Sequence, residues 1–450
     1  MSRCAGSCAR IDSLEFNMGQ TERFFLTILV LAILALVASS PMTYRLRRSR
    51  MFGMLLSGGW LAIAAGALLG ESGLGALERE TLLRSSPLIM ICLGWIGLMV
   101  GLQARRELFA TLPRALWRLA TIDVLVSAVV FGFLGWVAAA LWISSVGAPG
   151  TEGAAWRVMP ALIIGAAAIG WTMETRSMRI SRSLDSARLA VFVRGGGALG
   201  AIAAITLFGL ISKPVARDPA SGQLVLDWFG AGAKLAMSLA MAVTLGILGR
   251  YALRLAGRSR AELLAVFLGL VALVAGIAAD LATSALFTAM LAGVVIANLG
   301  GPALRMFERF ILRAEHVMAV LLAMLAGMLI DPAIGIWGLG LAMSIAILRL
   351  ILKPWIFRVG IRPLSEPVGS PLFIAPVRQA PMAMALGLGL VISDPTPLHQ
   401  KMLTVVLLAG LTSEVLPLLL TLSKSSGVTD APSGSQDVAS AQSGAGEGSS

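Results

Sequence analysis

The sequence predicts an all-α polytopic membrane protein with about 13 transmembrane helices. Of its 450 residues, 57% are hydrophobic and only 13% are charged, and the apolar runs reach the roughly 18 to 20 residues that a helix needs to cross a bilayer. Arginine is concentrated in every second connection between these runs. Because basic loops stay in the cytoplasm, this alternation predicts an integral protein of the cell membrane, of inner-membrane type, with its N-terminus outside and its C-terminus cytoplasmic.

The apolar runs place the spans, and the connections between them are assigned by their charge. The expected spans are 24–40, 52–70, 87–104, 119–145, 157–173, 189–212, 229–249, 262–279, 281–299, 314–330, 333–352, 371–393 and 402–422. Arg305, Arg309 and Arg313 are assigned to one cytoplasmic connection, and Arg349, Lys353, Arg358 and Arg362 to the next. Several of the intervening connections carry acids instead, among them Asp227, Asp280 and Asp331.

The chain is expected to divide into a leader at 1–23, a transmembrane domain at 24–422 and a tail at 423–450. The tail is rich in Ser, Gly and Asp with little apolar content, so it is expected to be disordered and cytoplasmic. The first run has two interpretations: a signal peptide, or an uncleaved span, which the four arginines that follow it favour. The start of translation at Met1 or Met18 is left open.

The composition argues against several classes of function. The formal net charge of +12 is accounted for largely by the cytoplasmic connections, so no nucleic-acid partner is expected. Three cysteines and two histidines do not suffice for an ordinary metal or haem centre. No nucleophile with its base and no phosphate-binding loop is recognisable, so we expect neither an enzyme nor a cofactor. The expected surroundings are the lipid bilayer.

A weak internal symmetry predicts an inverted repeat. If spans 1 to 6 (about 24–212) and spans 8 to 13 (about 262–422) are two copies joined by the linker span 229–249, equivalent spans lie seven apart, and this odd offset inverts the copies. Spans 5 and 12 are then equivalent, and glycines and prolines interrupt both. Paired interruptions of this kind predict a transport site near the midplane of the membrane. The alternative is that glycine and proline are simply common in membrane helices.

Charged residues within the spans are expensive and need a reason. Arg194, beside Gly195 and Gly196 in span 6, either reaches the inner interface or is a fixed cation of a translocation region. Glu174, at the end of span 5, is either a solvated helix-end acid or a buried carboxylate that pairs with Arg194.

Three further charges lie in the second half of the chain. Lys353, before Pro354, either snorkels to the interface or acts in an ion pair or gate. Arg378, beside Gln379 among the prolines of span 12, is expected to form a salt bridge important for function or packing. Glu414 in span 13 is expected to form a structural ion pair, neutralising Arg378 or Lys353.

Four segments resemble those of a known family. They are the stretches Glu262–Asn298, with its Leu-Ala-Gly-Val-Val-Ile-Ala-Asn end, Ile91–Phe109, Val320–Asp331 and Pro376–Ala380. Through them the chain resembles the monovalent cation:proton antiporter superfamily, the Kef-type and sodium/proton exchanger group, over essentially residues 24–422.

The resemblance implies a core domain that moves against a dimerising domain, crossed broken helices at spans 5 and 12, and hence a homodimer. It also implies a Thr-Asp-like turn in span 5, where Thr172 is present without an adjacent aspartate. The family's acidic pair in span 6 falls at Gly195 and Gly196, so neither acid is present. Lys353 is the counterpart of the family's basic residue in span 11.

Three hypotheses remain open. The first is exchange of Na+ or K+ for H+, with Glu174 as the carrier that substitutes for the missing acids. The second is transport of an anion or organic acid by the same fold, with Arg194 and Arg378 as contacts. The third is a non-transporting relative that keeps the fold for an interaction or sensing role.

Overall fold

The computed structural model describes residues 59–71, 73, 82, 86–111, 114–146, 163–169, 172–173, 184–211, 215–217, 224–256, 259–299, 302–361, 377–378, 380–393 and 395–426, together with residue 33. The predictions for the leader 1–23, for almost all of the first span and for the tail beyond residue 426 therefore lie outside the described residues.

Within these ranges the chain is almost entirely helical. The helices are α1 (Trp60–Leu69), α2 (Ser86–Leu102), α3 (Arg106–Thr111), α4 (Arg114–Val146), α5 (Leu184–Ile211), α6 (Trp228–Leu255), α7 (Arg260–Asp280), α8 (Ala285–Leu299), α9 (Pro302–Met328), α10 (Gly335–Ile361), α11 (Ala380–Ser393) and α12 (Pro397–Ser426). Residues 163–169 are also helical, and Pro332–Ile334 form a 3-10 turn before α10. The strands are β1 (Thr172–Met173), β2 (Val215–Arg217), β3 (Leu224–Leu226) and β4 (Val377–Arg378).

The strands form two small antiparallel ladders. Strands β2 and β3 are neighbours in sequence and form a hairpin between α5 and α6. The other ladder joins β1 to β4, which are far apart along the chain, with Thr172 opposite Arg378 and Met173 opposite Val377.

By length and composition, four helical segments of the described chain can cross a membrane. They are Trp117–Leu141, Phe229–Leu255, Ala261–Asp280 and Pro332–Ile356. Six shorter apolar helices accompany them, Trp60–Leu69, Ser86–Leu102, Gly197–Leu210, Ala285–Leu299, Val317–Met328 and Met382–Ser393.

Three helices differ from the predicted spans. Helix α10 continues past Lys353 and Pro354 to Ile361, so the prediction that Arg349, Lys353 and Arg358 lie in a loop is wrong; their side of the membrane stays a prediction. Pro354 removes one backbone hydrogen bond, a loss that membrane helices tolerate, and buried Ile356 continues the apolar packing beyond it. The arginines at 305, 309 and 313 likewise lie within α9, and α12 extends to residue 426, past the predicted start of the tail.

Two close helix crossings depend on glycine. Where α2 crosses α8, a Cβ atom on Gly101 would collide with the carbonyl oxygen of Met290. Where α1 crosses α9, a Cβ atom on Gly66 would collide with the carbonyl oxygen of Met324, and one on Gly327 with that of Ile63. Small residues let membrane helices approach until their backbones touch, so these positions bring the helix pairs together.

The two crossings fit the predicted repeat. Helices α1 and α2 are spans 2 and 3, and helices α8 and α9 are spans 9 and 10. In a repeat with an offset of seven spans, α1 is equivalent to α8 and α2 to α9. The crossing of α1 with α9 is then equivalent to the crossing of α8 with α2. The inverted repeat and the number of 13 spans stay predictions.

Asn298, the last residue of the Ile-Ala-Asn sequence in α8, connects this helix to the turn after α2. Its Oδ1 accepts a hydrogen bond of 2.8 Å from the backbone N–H of Arg106, and its Nδ2 donates to the carbonyl oxygens of Ala104 at 3.0 Å and Val294 at 2.8 Å. The side chain thereby caps the start of α3 and holds the end of α2 against α8.

Replacing Asn298 by Ala is expected to lower the stability by about 1 to 2 kcal/mol, because these hydrogen bonds are lost at an exposed position. The thermal unfolding midpoint in detergent measures the effect. Asn298→Asp keeps the acceptor for Arg106 and loses only the donor, so it should fall between the wild type and Asn298→Ala; equal stability of all three would show that the connection adds nothing.

Candidate functional site

A buried ion pair lies between α4 and α10. The Nζ of Lys353 donates to Asp123 Oδ1 at 2.6 Å and to Ser127 Oγ at 3.1 Å. Ser127 Oγ in turn donates to the same carboxylate oxygen at 3.2 Å. Relative exposure is 4% for Asp123, 0% for Ser127 and 8% for Lys353, so the protein itself encloses all three.

Helical spacing explains this arrangement. Asp123 and Ser127 are four residues apart, so they project from the same face of α4, one turn apart. Lys353 reaches them from α10, which packs against α4. Removing two charges from water costs several kcal/mol per ion, which pairing and hydrogen bonds only partly return. A buried, paired charge inside an apolar helix is therefore a functional candidate.

A second cation, Arg349, lies one turn before Lys353 and is 5% exposed. Its Nη1 donates to Ser413 Oγ of α12 at 3.0 Å, and Ser413 Oγ donates to the carbonyl oxygen of Gly410 at 2.8 Å. Burial disfavours the charged guanidinium group, and the negative charges of Asp123 and Glu414 offset part of that cost. Helix α10 thus presents two cations, which interact with carboxylates on α4 and α12.

The β1/β4 ladder joins the two predicted interruptions of spans 5 and 12. The helical segment 163–169 precedes β1, and α11 begins at residue 380, directly after β4. Both predicted interruptions therefore contain extended backbone, and the two extended stretches pair with each other. Helix α12, which carries Ser413 and Glu414, also packs against β4, so this ladder adjoins the helix that contacts Arg349.

The structure brings some of the candidates from the sequence together and leaves others undescribed. Thr172 and Arg378 are backbone partners, and Lys353 is buried in an ion pair instead of snorkelling to an interface. Glu414 lies within electrostatic range of Arg349, a partner that the sequence did not suggest.

The remaining candidates lie in span 6 or next to the interruptions. Residues 194, 195 and 196 are part of α5, but only their backbone is described. Glu174 and Gln379 lie outside the described residues, so the predicted pairing of Glu174 with Arg194 stays a prediction.

The sequence interpretation missed Asp123, Ser127 and Arg349. A signal existed for the first two, since Asp123 is an acid inside the apolar run of span 4 and Ser127 follows it by one helical turn. Arg349 was not predicted as a buried residue, because the basic residues around Pro354 indicated a loop. Among the residues that the structure describes, no group of three or more His, Cys, Asp or Glu side chains could hold a metal ion.

The fold is similar to that of solved sodium/proton antiporters. The structure of the sodium proton antiporter MjNhaP1 from Methanocaldococcus jannaschii at pH 8 aligns with 89% of this chain and 97% of its own, with a TM-score of 0.55 and 15% sequence identity. The chain has the sodium/proton antiporter fold. An electron-microscopy map of the same antiporter aligns with a TM-score of 0.50 and 14% identity, over 89% of this chain and 96% of that one.

No family model matches the sequence, and no curated protein matches it. The structural similarity confirms the predicted all-α membrane fold and the antiporter resemblance at the level of fold. At 15% identity it carries no residue roles, so the chemistry has to be argued from the buried charges themselves.

Proposed function

We propose that the protein is a secondary active transporter that exchanges a monovalent cation, Na+ or K+, for H+, with Asp123 as the carboxylate that binds each in turn. The observation that carries the proposal is the buried ion pair between Asp123 and Lys353, enclosed between two helices of an antiporter fold. Such a pair adds little net stability compared with apolar residues, so its presence is best explained by ion chemistry.

The exchange follows from competition for one carboxylate. Lys353 compensates the charge of Asp123 while no ion is bound. An arriving cation takes the place of the ammonium group, with the oxygens of Asp123 and Ser127 replacing part of its hydration shell. A proton on Asp123 removes the charge that holds the cation, so binding of a proton releases it. Cation and proton therefore exclude each other at one site, as an antiporter requires.

This assignment replaces Glu174 as the first candidate for the carrier. Asp123 is buried and faces the ammonium group of Lys353, and it supplies the titratable acid that Gly195 and Gly196 lack. Transport of an anion or organic acid receives less support, because the two cations of α10 interact with two carboxylates, leaving no excess positive charge among these four groups.

The surroundings of the site belong to the same proposal. We propose a homodimer in the lipid bilayer, with the N-terminus outside and the C-terminus cytoplasmic. The distribution of arginine supports this orientation, and the resemblance of the sequence to the exchanger group supports the assembly. Labelling of single introduced cysteines from either side of intact cells tests the orientation, and the mass of the purified protein in detergent tests the dimer.

Flux measurements in liposomes test the proposed exchange. The purified protein is reconstituted with a pH-sensitive dye, a proton gradient is imposed, and Na+ or K+ is added. The wild type is expected to show cation-evoked dye recovery, and Asp123→Asn is expected to fall to the level of empty liposomes. Glu174→Gln, the matched carboxylate-to-amide control, should retain recovery.

The outcomes separate the hypotheses. Recovery that persists in Asp123→Asn but disappears in Glu174→Gln would assign the carrier role to Glu174. Recovery evoked by organic anions and not by cations would contradict cation exchange. No flux with any ion would leave the non-transporting alternative.

A further inference from the structure

The surroundings of Arg349 place a permanent positive charge next to the proposed cation site. Arg349 precedes Lys353 by four residues on α10, so the two side chains leave the same face about 6 Å apart along the helix axis. A guanidinium group does not lose its proton inside a protein, so this charge is present at every step of transport.

Contacts with α12 hold the guanidinium group of Arg349. Its Nη1 donates to Ser413 Oγ at 3.0 Å, and Ser413 is anchored to the Gly410 carbonyl oxygen at 2.8 Å. The next residue, Glu414, is partly exposed and supplies a negative charge that stabilises Arg349. Asp123 supplies the other.

We propose that Arg349 and Glu414 set the affinity of the transport site for its cation: Arg349 is a positioning residue whose charge weakens cation binding at Asp123, and Glu414 offsets that charge. The inference rests on the proposed function, since it assumes that Asp123 binds the cation. It assigns the two residues opposite effects on the same site.

The direction of each effect follows from the charges. Asp123, Lys353, Arg349 and Glu414 together carry no net charge when all four are ionised. Replacing Glu414 by Gln leaves one excess positive charge beside the site and repels cations. Replacing Arg349 by Gln leaves one excess negative charge and attracts them. A purely structural role for either residue predicts no such reversal of sign.

The test is the apparent KM for Na+ in liposome exchange at alkaline pH, where protons compete weakly. Glu414→Gln is expected to raise the KM by about tenfold to thirtyfold, and Arg349→Gln to lower it by a similar factor, as expected for unit charges about 8 to 12 Å apart at an effective dielectric constant of about 20. The double variant should return to within about twofold of the wild type if the two effects cancel. Glu262→Gln, the same chemical change at an exposed position on α7, should leave the KM unchanged.

Damage to the fold does not imitate this result, because fewer active molecules lower the maximal rate and leave the KM unaltered. If Arg349→Gln cannot be purified, Arg349→Lys replaces it: this variant keeps the charge and is expected to match the wild-type KM within about twofold. The KM of Glu414→Gln then tests the proposed effect of charge by itself. Shifts in the same direction, or no shift in either variant, would overturn the inference.

The proposed function has a separate criterion in the same assay. If the wild type exchanges no cation, or Asp123→Asn still does, the proposed function has failed. If Asp123 is required but the two KM shifts lack opposite signs, only the role of Arg349 and Glu414 has failed.

Discussion

Replacing Lys353 by Met is expected to destabilise the protein by about 3 to 5 kcal/mol. The substitution leaves the carboxylate of Asp123 enclosed, with 6% side-chain exposure and without its ammonium partner at 2.6 Å. The hydrogen bond from Ser127 cannot replace a full positive charge, so the folded state loses its compensation while the unfolded chain loses little.

The thermal unfolding midpoint in detergent, with the fraction of monodisperse protein as a second readout, checks this expectation. The double variant Asp123→Asn/Lys353→Met should recover most of the lost stability, because it removes the buried carboxylate that the single variant leaves without its ammonium partner. Arg254→Met, which removes an exposed cation from the last turn of α6, should stay within about 0.5 kcal/mol of the wild type. If Lys353→Met unfolded at the same midpoint as the wild type, the ammonium group of Lys353 would not be needed to compensate the buried charge of Asp123.

The second large effect is expected at the crossing of α2 and α8. Gly101→Ala places a methyl group against the carbonyl oxygen of Met290 and within 2.9 Å of the Gly293 Cα atom, so the two backbones have to separate. Overpacking of this kind costs about 1 to 3 kcal/mol, and the close crossing of two helix backbones leaves no flexible side chain to yield, so the upper end of that range is expected.

The matched control is Gly269→Ala on α7, where an added Cβ atom meets nothing within 4 Å. Because alanine favours a helix over glycine, that variant should be unchanged or more stable by about 0.5 to 1 kcal/mol. Opposite shifts of the unfolding midpoint would show that contact at the crossing, and not the loss of a glycine, is responsible. Equal midpoints for the two variants would contradict the close crossing.

Much of the helical fold follows from local sequence. Long apolar runs and basic connections predict the helices because the bilayer restricts the length and charge of whatever crosses it. The prediction failed at the end of α10, where basic residues and Pro354 together suggested a loop. The basic residues of α10 make tertiary contacts instead: Lys353 pairs with Asp123 of α4, and Arg349 donates to Ser413 of α12.

The site was less predictable than the fold. The positions of Thr172 and Arg378 at interruptions of spans 5 and 12 were predictable, because glycine and proline next to them are visible in the local sequence. Asp123 and Lys353 are separated by 230 positions, and nothing local in the sequence indicates that they meet. Their pairing depends on how α4 packs against α10, a property of the assembled helices.

The β1/β4 ladder has a consequence for the energetics of the two predicted interruptions. Extended backbone in an apolar environment needs partners for its N–H and C=O groups, and these two stretches pair with each other. If residues 172–173 wound back into helix, residues 377–378 would lose their partner, and the reverse also holds. The two interruptions are therefore a single cooperative element, so a substitution that favours helix in one is also expected to destabilise the other.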